Sequence, residues 1–423
     1  MEFYFDFACP FAYIASTRVE AAASRAGVDV HYIPIVLGGL YLSTNAPQKK
    51  TSASTVMSRH KLRAVSADLR SQARRHGVRF APGRLSPPSH TLPALRAVTG
   101  LPLLLRGPAV AALYAACWVG KQDLGDPDVV LAVLAPLGLD LDIAALMESK
   151  SVKATLREET DALAAAGAIG VPCFSLPGHD RIVWGGQFLP MVERALGNQG
   201  AFLPRYVAPP LVLPDTESKH RVTVTFYFDL GDPFSALAAH MIRQVAAETN
   251  ARIQYVPIHA RSLFEQIGTC LADTVPAKRK LLHASIGLWK DWYGAHDLIV
   301  PSKDSFVASM IRPGMEAHHG AIARVTDQTA RGLLTHSLFE TLWNTPHDDD
   351  SSASASSPVD LEERALVDGL VEDAVAMGVC GTPSFIVDSD PSTLVWGQDR
   401  LNVLADLLAR AAHSRNTTPS SKL

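Results

Sequence analysis

The side chain in this sequence best placed to do chemistry is Cys9, in the run Asp6-Phe7-Ala8-Cys9-Pro10-Phe11-Ala12-Tyr13. Pro10 predicts the first position of a helix, because a first turn has no use for the N–H that proline lacks and proline's φ is already helical. Cys9 then caps that helix. Backbone N–H groups and the helix dipole stabilise an anion at such an end and lower the pKa of a thiol. The same terminus can hold the thiolate of a bound thiol cofactor. A small buried cysteine that merely packs is the bland alternative. Ala12 stands three residues on, so there is no C-x-x-C dithiol and dithiol oxidoreductase chemistry is disfavoured.

The other reactive residue types are more scattered. The five cysteines are Cys9, Cys117, Cys173, Cys270 and Cys380. Their number is odd and their spacing fits no zinc pattern, which argues against a disulfide scaffold and for a reducing compartment. Cys173 follows a proline and reads as a packed core residue, with a redox pairing to Cys9 as the alternative. His318-His319 has no carboxylate at ligand spacing and reads as a helix surface. The basic run Arg74-Arg75-His76-Gly77-Val78-Arg79 reads as a helix end, where cations are favoured.

These residues are set in a duplicated frame. Phe3-Tyr4-Phe5-Asp6 recurs as Phe226-Tyr227-Phe228-Asp229, Pro10-Phe11 as Pro233-Phe234, and Tyr32-Ile33-Pro34-Ile35 as Tyr255-Val256-Pro257-Ile258, always 223 residues later. Further on, Gly170-Val171-Pro172-Cys173-Phe174 parallels Gly381-Thr382-Pro383-Ser384-Phe385, and Val183-Trp184-Gly185-Gly186-Gln187 parallels Val395-Trp396-Gly397-Gln398-Asp399. Repeated order over several elements marks a tandem duplication. The expected division is a first domain over 1–203, a proline-rich linker over 204–220, a second domain over 221–413 and a tail over 414–423. The stretch His347 to Pro358, with three aspartates and a serine-rich run, reads as a disordered loop.

Each half shows one order of elements. An apolar strand (Glu2–Phe7 or Val222–Leu230) leads to a helix, Phe11–Ala26 in the first half, with Gly27 as its C-cap. A second strand follows, Val28–Ile35 or Arg252–Ile258, and a βαβ unit of that length predicts a parallel pair. A long helical stretch comes next: in the first half Leu62–Arg75, Ala109–Val119, Asp128–Leu137 and Ile143–Ala166, with Gly100 onward as a loop entering a buried helix. Two short strands and a closing helix end each half. The fold class is therefore α/β: two thioredoxin-like domains, each βαβ, an inserted helical subdomain, then ββα.

Composition sets the outer limits. With 423 residues, 47% apolar and 19% charged, the chain can bury two cores. A formal net charge of −3, from 39 basic against 42 acidic residues, gives no basic excess for nucleic acid. The most apolar stretch, Gly100 to Val119, is broken by Pro102, Arg106 and Pro108, so no membrane span is expected. The terminal Ser421-Lys422-Leu423 reads as an address for the peroxisomal import receptor, or for the glycosome in organisms that have one.

These motifs resemble the DsbA-like thioredoxin family, and within it the branch of 2-hydroxychromene-2-carboxylate isomerases and kappa-class glutathione transferases. That branch has a strand ending F-D-x-x-S-P-[YF]-[SA]-[YW], and Cys9 stands where its serine contacts the glutathione sulfur. Pro34-Ile35-Val36-Leu37-Gly38-Gly39-Leu40-Tyr41 is similar to its P-[IV]-x-L-G-x-L-F, Asn45-Ala46-Pro47 to its N-x-P loop, and His90-Thr91-Leu92-Pro93-Ala94-Leu95-Arg96-Ala97 to its N-T-x-x-A-x-R-A. The resemblance implies cis peptides at Val171-Pro172 and Thr382-Pro383, with residues 171 and 382 presenting backbone to a glutathione cysteinyl group. It also implies an acidic side chain near the γ-glutamyl amine, which Trp396-Gly397-Gln398-Asp399-Arg400 keeps and Gly186-Gln187-Phe188 does not. Asp232 replaces the serine in the second half; it is a good N-cap, and its charge would repel a thiolate.

The resemblance implies a glutathione-dependent isomerase or transferase acting on small electrophilic compounds, aromatic ones included. Cys9 would be its catalytic residue. Asn45, Val171, Pro172, Gly186, Gln187, Thr382, Pro383, Gln398 and Asp399 would contact the cofactor. The first half would be active and the second mainly structural, completing a pseudo-dimer within one chain. The alternatives are a thiol–disulfide or peroxide redox enzyme using Cys9, and a non-catalytic thiol-binding or scaffold protein.

Overall fold

The computed structural model describes residues 1–44, 57–81, 90–176, 181–197, 221–269, 276–300, 315–344 and 360–417. Contacts divide the chain into two compact units, residues 1–57 with 69–203 and residues 58–68 with 204–423.

In the first unit, β1 (Glu2–Phe5) leads into α1 (Pro10–Ala26) and β2 (His31–Pro34). Then come α2 (Leu37–Ser43), α3 (Arg59–Arg75), α4 (Leu92–Gly100), α5 (Leu103–Trp118), α6 (Pro127–Leu134), α7 (Ile143–Glu148) and α8 (Lys150–Ala165). β3 (Cys173–Leu176), β4 (Arg181–Trp184) and α9 (Leu189–Ala195) complete it. Residues 59–68 of α3 are grouped with the second unit and residues 69–75 with the first. The sheet order is β2-β1-β3-β4, with β1 parallel to β2 and antiparallel to β3.

The second unit repeats the plan. β5 (Thr223–Phe228), α10 (Pro233–Glu248) and β6 (Arg252–Pro257) are followed by α11 (Ala260–Gln266), α12 (Pro276–Tyr293), α13 (Glu316–Arg324), α14 (Gln328–Asn344) and α15 (Leu361–Ala376). β7 (Ser384–Val387), β8 (Val395–Trp396) and α16 (Leu401–Thr417) close it, in the sheet order β6-β5-β7-β8. In both sheets the strand before the reactive turn lies between the parallel and the antiparallel partner, so its end is fixed from both sides.

Aromatic side chains anchor those central strands. Phe3, Phe5 and Phe7 are fully buried, and Phe7 meets Tyr114 of α5 edge-on at 4.8 Å. In the second unit Phe226 stacks on Phe385 and Phe228 packs on Phe339 of α14. Two polar ties hold each helical subdomain to its sheet. The Trp118 indole N–H donates to the Phe7 carbonyl at 3.0 Å, and that of Trp343 to the Leu230 carbonyl at 2.9 Å. The Arg106 guanidinium donates to the carbonyls of Tyr32, Thr99 and Leu101, and that of Arg331 to Tyr255, Ala323 and Val325.

The helical subdomain departs from the sequence expectation in detail. The stretch after Gly100 is helix from Leu103, with Pro108 inside it. The expected single helix 143–166 is two, α7 and α8, broken at Ser149. Its extended backbone (φ −57°, ψ 129°) ends one helix, and its hydroxyl accepts from the Val152 N–H to start the next.

Candidate functional site

Cys9 is the N-cap of α1, with extended backbone and Pro10 behind it. It is partly buried, and its thiol donates to the Val171 carbonyl at 3.1 Å. Val171 precedes Pro172 across a cis peptide bond. The helix terminus and the β3 turn thus meet at the sulfur.

The sequence predicts a lowered thiol pKa at this helix end, and the structure corrects that. Burial pushes the Cys9 thiol up to about 12; the N–H groups of Ala12 and Phe11 pull the other way without prevailing, and Asp6 adds to the rise. Desolvation of the thiolate outweighs two backbone donors here. Cys9 is therefore a protonated thiol at neutral pH, a donor more than a nucleophile.

Asp6 holds the floor of the site, a role the sequence reading missed. Its Oδ1 accepts from the Ala8 N–H and the Thr91 hydroxyl, and its Oδ2 from the Leu37 N–H at 2.8 Å. One buried carboxylate thereby ties the end of the first strand to the starts of α2 and α4. The repeated F-Y-F-D motif was the available signal.

The remaining expected contacts of the first half are placed as follows. Gly185 has φ +113°, a conformation that favours glycine, and starts a 3-10 turn over Gly186–Phe188. The Gln187 amide bonds weakly to the Trp184 carbonyl at 3.5 Å, and the Gly186 carbonyl accepts from Arg18 at 3.4 Å. Neither is hydrogen-bonded to Cys9 or Val171. Asn45 lies outside the described residues. Cys173 is a free thiol that donates to the Gly170 carbonyl at 2.9 Å, and Ser384 makes the same bond to Gly381 at 2.7 Å.

The second half is differently furnished where Cys9 and Val171 meet in the first. Asp232 caps α10, as its type predicts, by accepting from the Phe234 N–H. Its other oxygen accepts from the hydroxyls of Ser235 and Thr382, both at 2.8 Å. Thr382 precedes the cis Pro383, so the place that Cys9 and Val171 share is closed here by internal bonds. Burial raises Asp232 to about 7; the two hydroxyls and the Phe234 N–H oppose the rise, and Asp229 adds to it.

Asp399 is bound by its neighbour Arg400 at 2.8 Å, and Arg400 also grips Asp68 at 2.8 Å within the same unit. Burial raises the Asp399 pKa, with Arg400 opposing. The Gln398 carbonyl accepts from the buried Tyr293 hydroxyl. The acid that the sequence assigns to an incoming amine is thus already paired with a guanidinium.

The His318-His319 pair also corrects its sequence reading. His319 is fully buried one turn into α13 and approaches Asp229 as Thr91, the N-cap of α4, approaches Asp6. Its Nε2 accepts from the Leu230 N–H at 3.0 Å and lies 3.4 Å from Asp229 Oδ1. Its Nδ1 finds no partner among the described residues. Doublet spacing in sequence had no way to show that one histidine faces a strand end.

Among the described residues no group of three or more histidine, cysteine or acidic side chains could hold a metal, and no helix is long and apolar enough to cross a membrane.

A four-stranded mixed sheet with a cis-proline turn facing a helix N-terminus, twice in one chain, defines a tandem thioredoxin-fold protein with helical insertions. The family model of the DSBA-like thioredoxin domain matches residues 1–197 and again 223–409. The chain belongs to that family. It is 29% identical over 205 residues to 2-hydroxychromene-2-carboxylate isomerase from Sphingobium xenophagum, a match covering 44% of this chain and 97% of the relative. Among solved structures, a selenomethionine 2-hydroxychromene-2-carboxylate isomerase is 22% identical, with 47% of this chain and 94% of the other covered and a TM-score of 0.39. The cytosolic disulfide reductase DsbM of Pseudomonas aeruginosa, with GSH, is 22% identical over 46% of this chain and 94% of its own, with a TM-score of 0.33.

Proposed function

We propose that the first repeat binds glutathione, or a related low-molecular-weight thiol, at the N-terminal end of α1 and acts as a thiol-dependent isomerase or transferase on small electrophilic compounds. The observation that carries this reading is the Cys9 thiol, protonated at neutral pH and set between the α1 terminus and the carbonyl before cis Pro172. The fit to a thiol is chemical. The N-terminus of α1 begins at Cys9, and the Cys9 S–H can turn from Val171 to donate to an incoming thiolate. The backbone of Val171 is then released to pair with an extended peptide. A bound thiol supplies a sulfur nucleophile that adds reversibly to an electron-poor alkene. The residues of this chain hold its charge and keep water from the turn. Asp232 bars an anion from the matching place in the second repeat at high pH, which supports a structural role for that half.

The test is calorimetric titration of glutathione into the wild type, Cys9→Ser, Cys9→Ala and Asp399→Ala. Binding kept by Cys9→Ser, weakened about tenfold by Cys9→Ala and untouched by Asp399→Ala is the expected pattern, a hydrogen bond to a charged group being worth about 1.5–3 kcal/mol. Glutathione-dependent turnover that survives in Cys9→Ser separates this reading from a redox enzyme that attacks with Cys9. Absence of binding in the wild type would overturn it.

We further propose delivery to the peroxisome through Ser421-Lys422-Leu423, which lie outside the described residues. A fluorescent protein fused to the N-terminus should collect in peroxisomes and turn diffuse when the last three residues are removed.

A further inference from the structure

A second group of residues in the first unit lines a cavity apart from the thiol site. A cavity of about 340 Å³ lies between α1, the turn after α3 and the C-terminal end of α5. Tyr13, Thr17, His76, Val78, Arg79 and Val119 are among its walls. That volume is in the range of small-molecule sites. Tyr13 and Thr17 lie one and two helical turns along α1 from Cys9, so the cavity is a neighbour of the thiol end and not part of it.

The charge around this cavity is positive. Arg79 makes no side-chain hydrogen bond or ion pair among the described residues, and its charge is felt at the Tyr13 phenol, where it opposes the rise that burial causes. His76 has no side-chain hydrogen bond either; burial, with Arg18 and Arg75 close by, pushes its pKa down to about 3, so the ring is neutral and can donate. Arg18 is largely desolvated beside two like charges, Arg75 and Arg25. Its one hydrogen bond among the described residues is the 3.4 Å contact to Gly186. The nearby Glu193 is taken by Arg25 through two bonds of 2.7 and 2.8 Å. A desolvated cation whose neighbours repel it, and whose nearby acid Glu193 is already bridged to Arg25, gains from an anion placed next to it.

The second repeat serves as an internal control. The Ala81 N–H bonds to the Trp118 carbonyl as the Ile299 N–H bonds to that of Trp343, and the helix-end bonds of Gly77 and Val78 recur at Gly294 and Ala295, which sets residues 77–81 against 294–299 with one residue added. Val78 then matches Ala295, Arg79 falls at His296-Asp297, where no arginine stands, and Tyr13 matches Ala236. The duplication kept the frame, while the cation and the phenol stand only in the first copy.

We propose that this cavity binds a small organic anion, its anionic oxygens against Arg79 in the field of Arg18 and Arg75, and its apolar body against Tyr13, Val78 and Val119. The inference stands without the thiol reading, since it needs neither Cys9 nor glutathione.

The test is calorimetric titration of 1-naphthoate and of its uncharged analogue 1-naphthamide into the full chain with no thiol present. Naphthoate is expected to bind at least about tenfold more tightly than the amide and to weaken as salt is raised, because exposed charge is screened. Arg79→Ala should cost about tenfold in naphthoate affinity, the scale of one charged hydrogen bond. Ala115→Phe, on a wall of the same cavity, should abolish binding by filling it, and Asp297→Ala should change nothing. Unchanged far-ultraviolet circular dichroism establishes that each variant is folded. Equal affinity for naphthoate and naphthamide, undiminished binding in both Arg79→Ala and Ala115→Phe, or no naphthoate binding at all would each overturn the proposal.

Discussion

The Thr382 hydroxyl donates to the Asp232 carboxylate at 2.8 Å, at the position that matches the meeting of the Cys9 thiol and the Val171 carbonyl in the first repeat. The same two pieces of backbone, a helix N-terminus and the turn before a cis proline, are present in both. In one copy they meet through a single thiol that can turn. In the other they meet through a carboxylate that already accepts from two hydroxyls and a backbone N–H. Duplication has kept the frame and exchanged the chemistry at its centre.

Asp232 should make stability depend on pH around neutrality. Its pKa is raised in the folded chain, from the usual carboxyl range to about 7. The folded state therefore holds a proton that the unfolded state releases. Its favourable contribution is complete below the unfolded pKa near 4 and is lost as pH rises through 7. Asp232→Asn keeps an acceptor for the α10 N-cap and removes the ionisation. Thermal unfolding from pH 5 to 8 should show the wild type losing on the order of 2–4 kcal/mol relative to this variant. Parallel curves for the two proteins would reject this account of Asp232.

Cys9 should be slow to react. With burial pushing its pKa up to about 12, its thiolate fraction at pH 7.5 is far below that of a free cysteine. Alkylation by iodoacetamide, followed by peptide mass spectrometry, should run at least about tenfold slower at Cys9 than for free cysteine at pH 7.5, and should speed up toward pH 10. Fast labelling at pH 6 would instead describe an activated thiolate and return the redox reading to the front.

Much of this architecture is legible in the sequence, and what is not has physical reasons. The strands, the caps and the two proline turns are local features, so Phe3 to Asp6, Pro10 and Pro172 show them without a structure. Desolvation is not local. The sequence puts Cys9 at a helix end and so predicts a lowered pKa, but only the packing of the site shows that burial wins. The buried roles of Asp6, Asp229 and His319 likewise depend on elements tens of residues away. The helical subdomain was readable further than the fixed spacing suggests. Arg106 and Arg331, and Trp118 and Trp343, are 225 residues apart, so the repeat is legible again there with a net shift of two residues from the spacing of 223.

Arg331 should matter to the second unit's stability more than an arginine without acidic partners ordinarily does. Its guanidinium satisfies three backbone carbonyls, and burial already lowers its pKa. Arg331→Met strands those carbonyls and should cost about 2–4 kcal/mol in denaturant unfolding, each buried unsatisfied group being worth about 1–3. Arg331→Lys should recover less than half, because an ammonium cannot span three acceptors in one plane. A loss below about 0.5 kcal/mol for Arg331→Met, the level of an ordinary surface change, would refute the tie.

Cys173 separates a structural reading from a redox one most sharply. It is a free, buried thiol, and burial pushes its pKa up beyond the range in which it would ionise. Its S–H bonds to the Gly170 carbonyl as the Ser384 hydroxyl bonds to Gly381, in the turn that carries each cis proline. Serine thus already does this job in the other copy. Cys173→Ser should unfold within about 1 kcal/mol of the wild type and keep any glutathione-dependent turnover. Cys173→Val, which removes the donor and crowds the turn, should lose about 1–3 kcal/mol. If Cys173 instead paired with Cys9 in a redox cycle, Cys173→Ser would abolish turnover with the fold intact. A thiol-blocking assay under mild oxidation would then show a Cys9–Cys173 disulfide in the wild type.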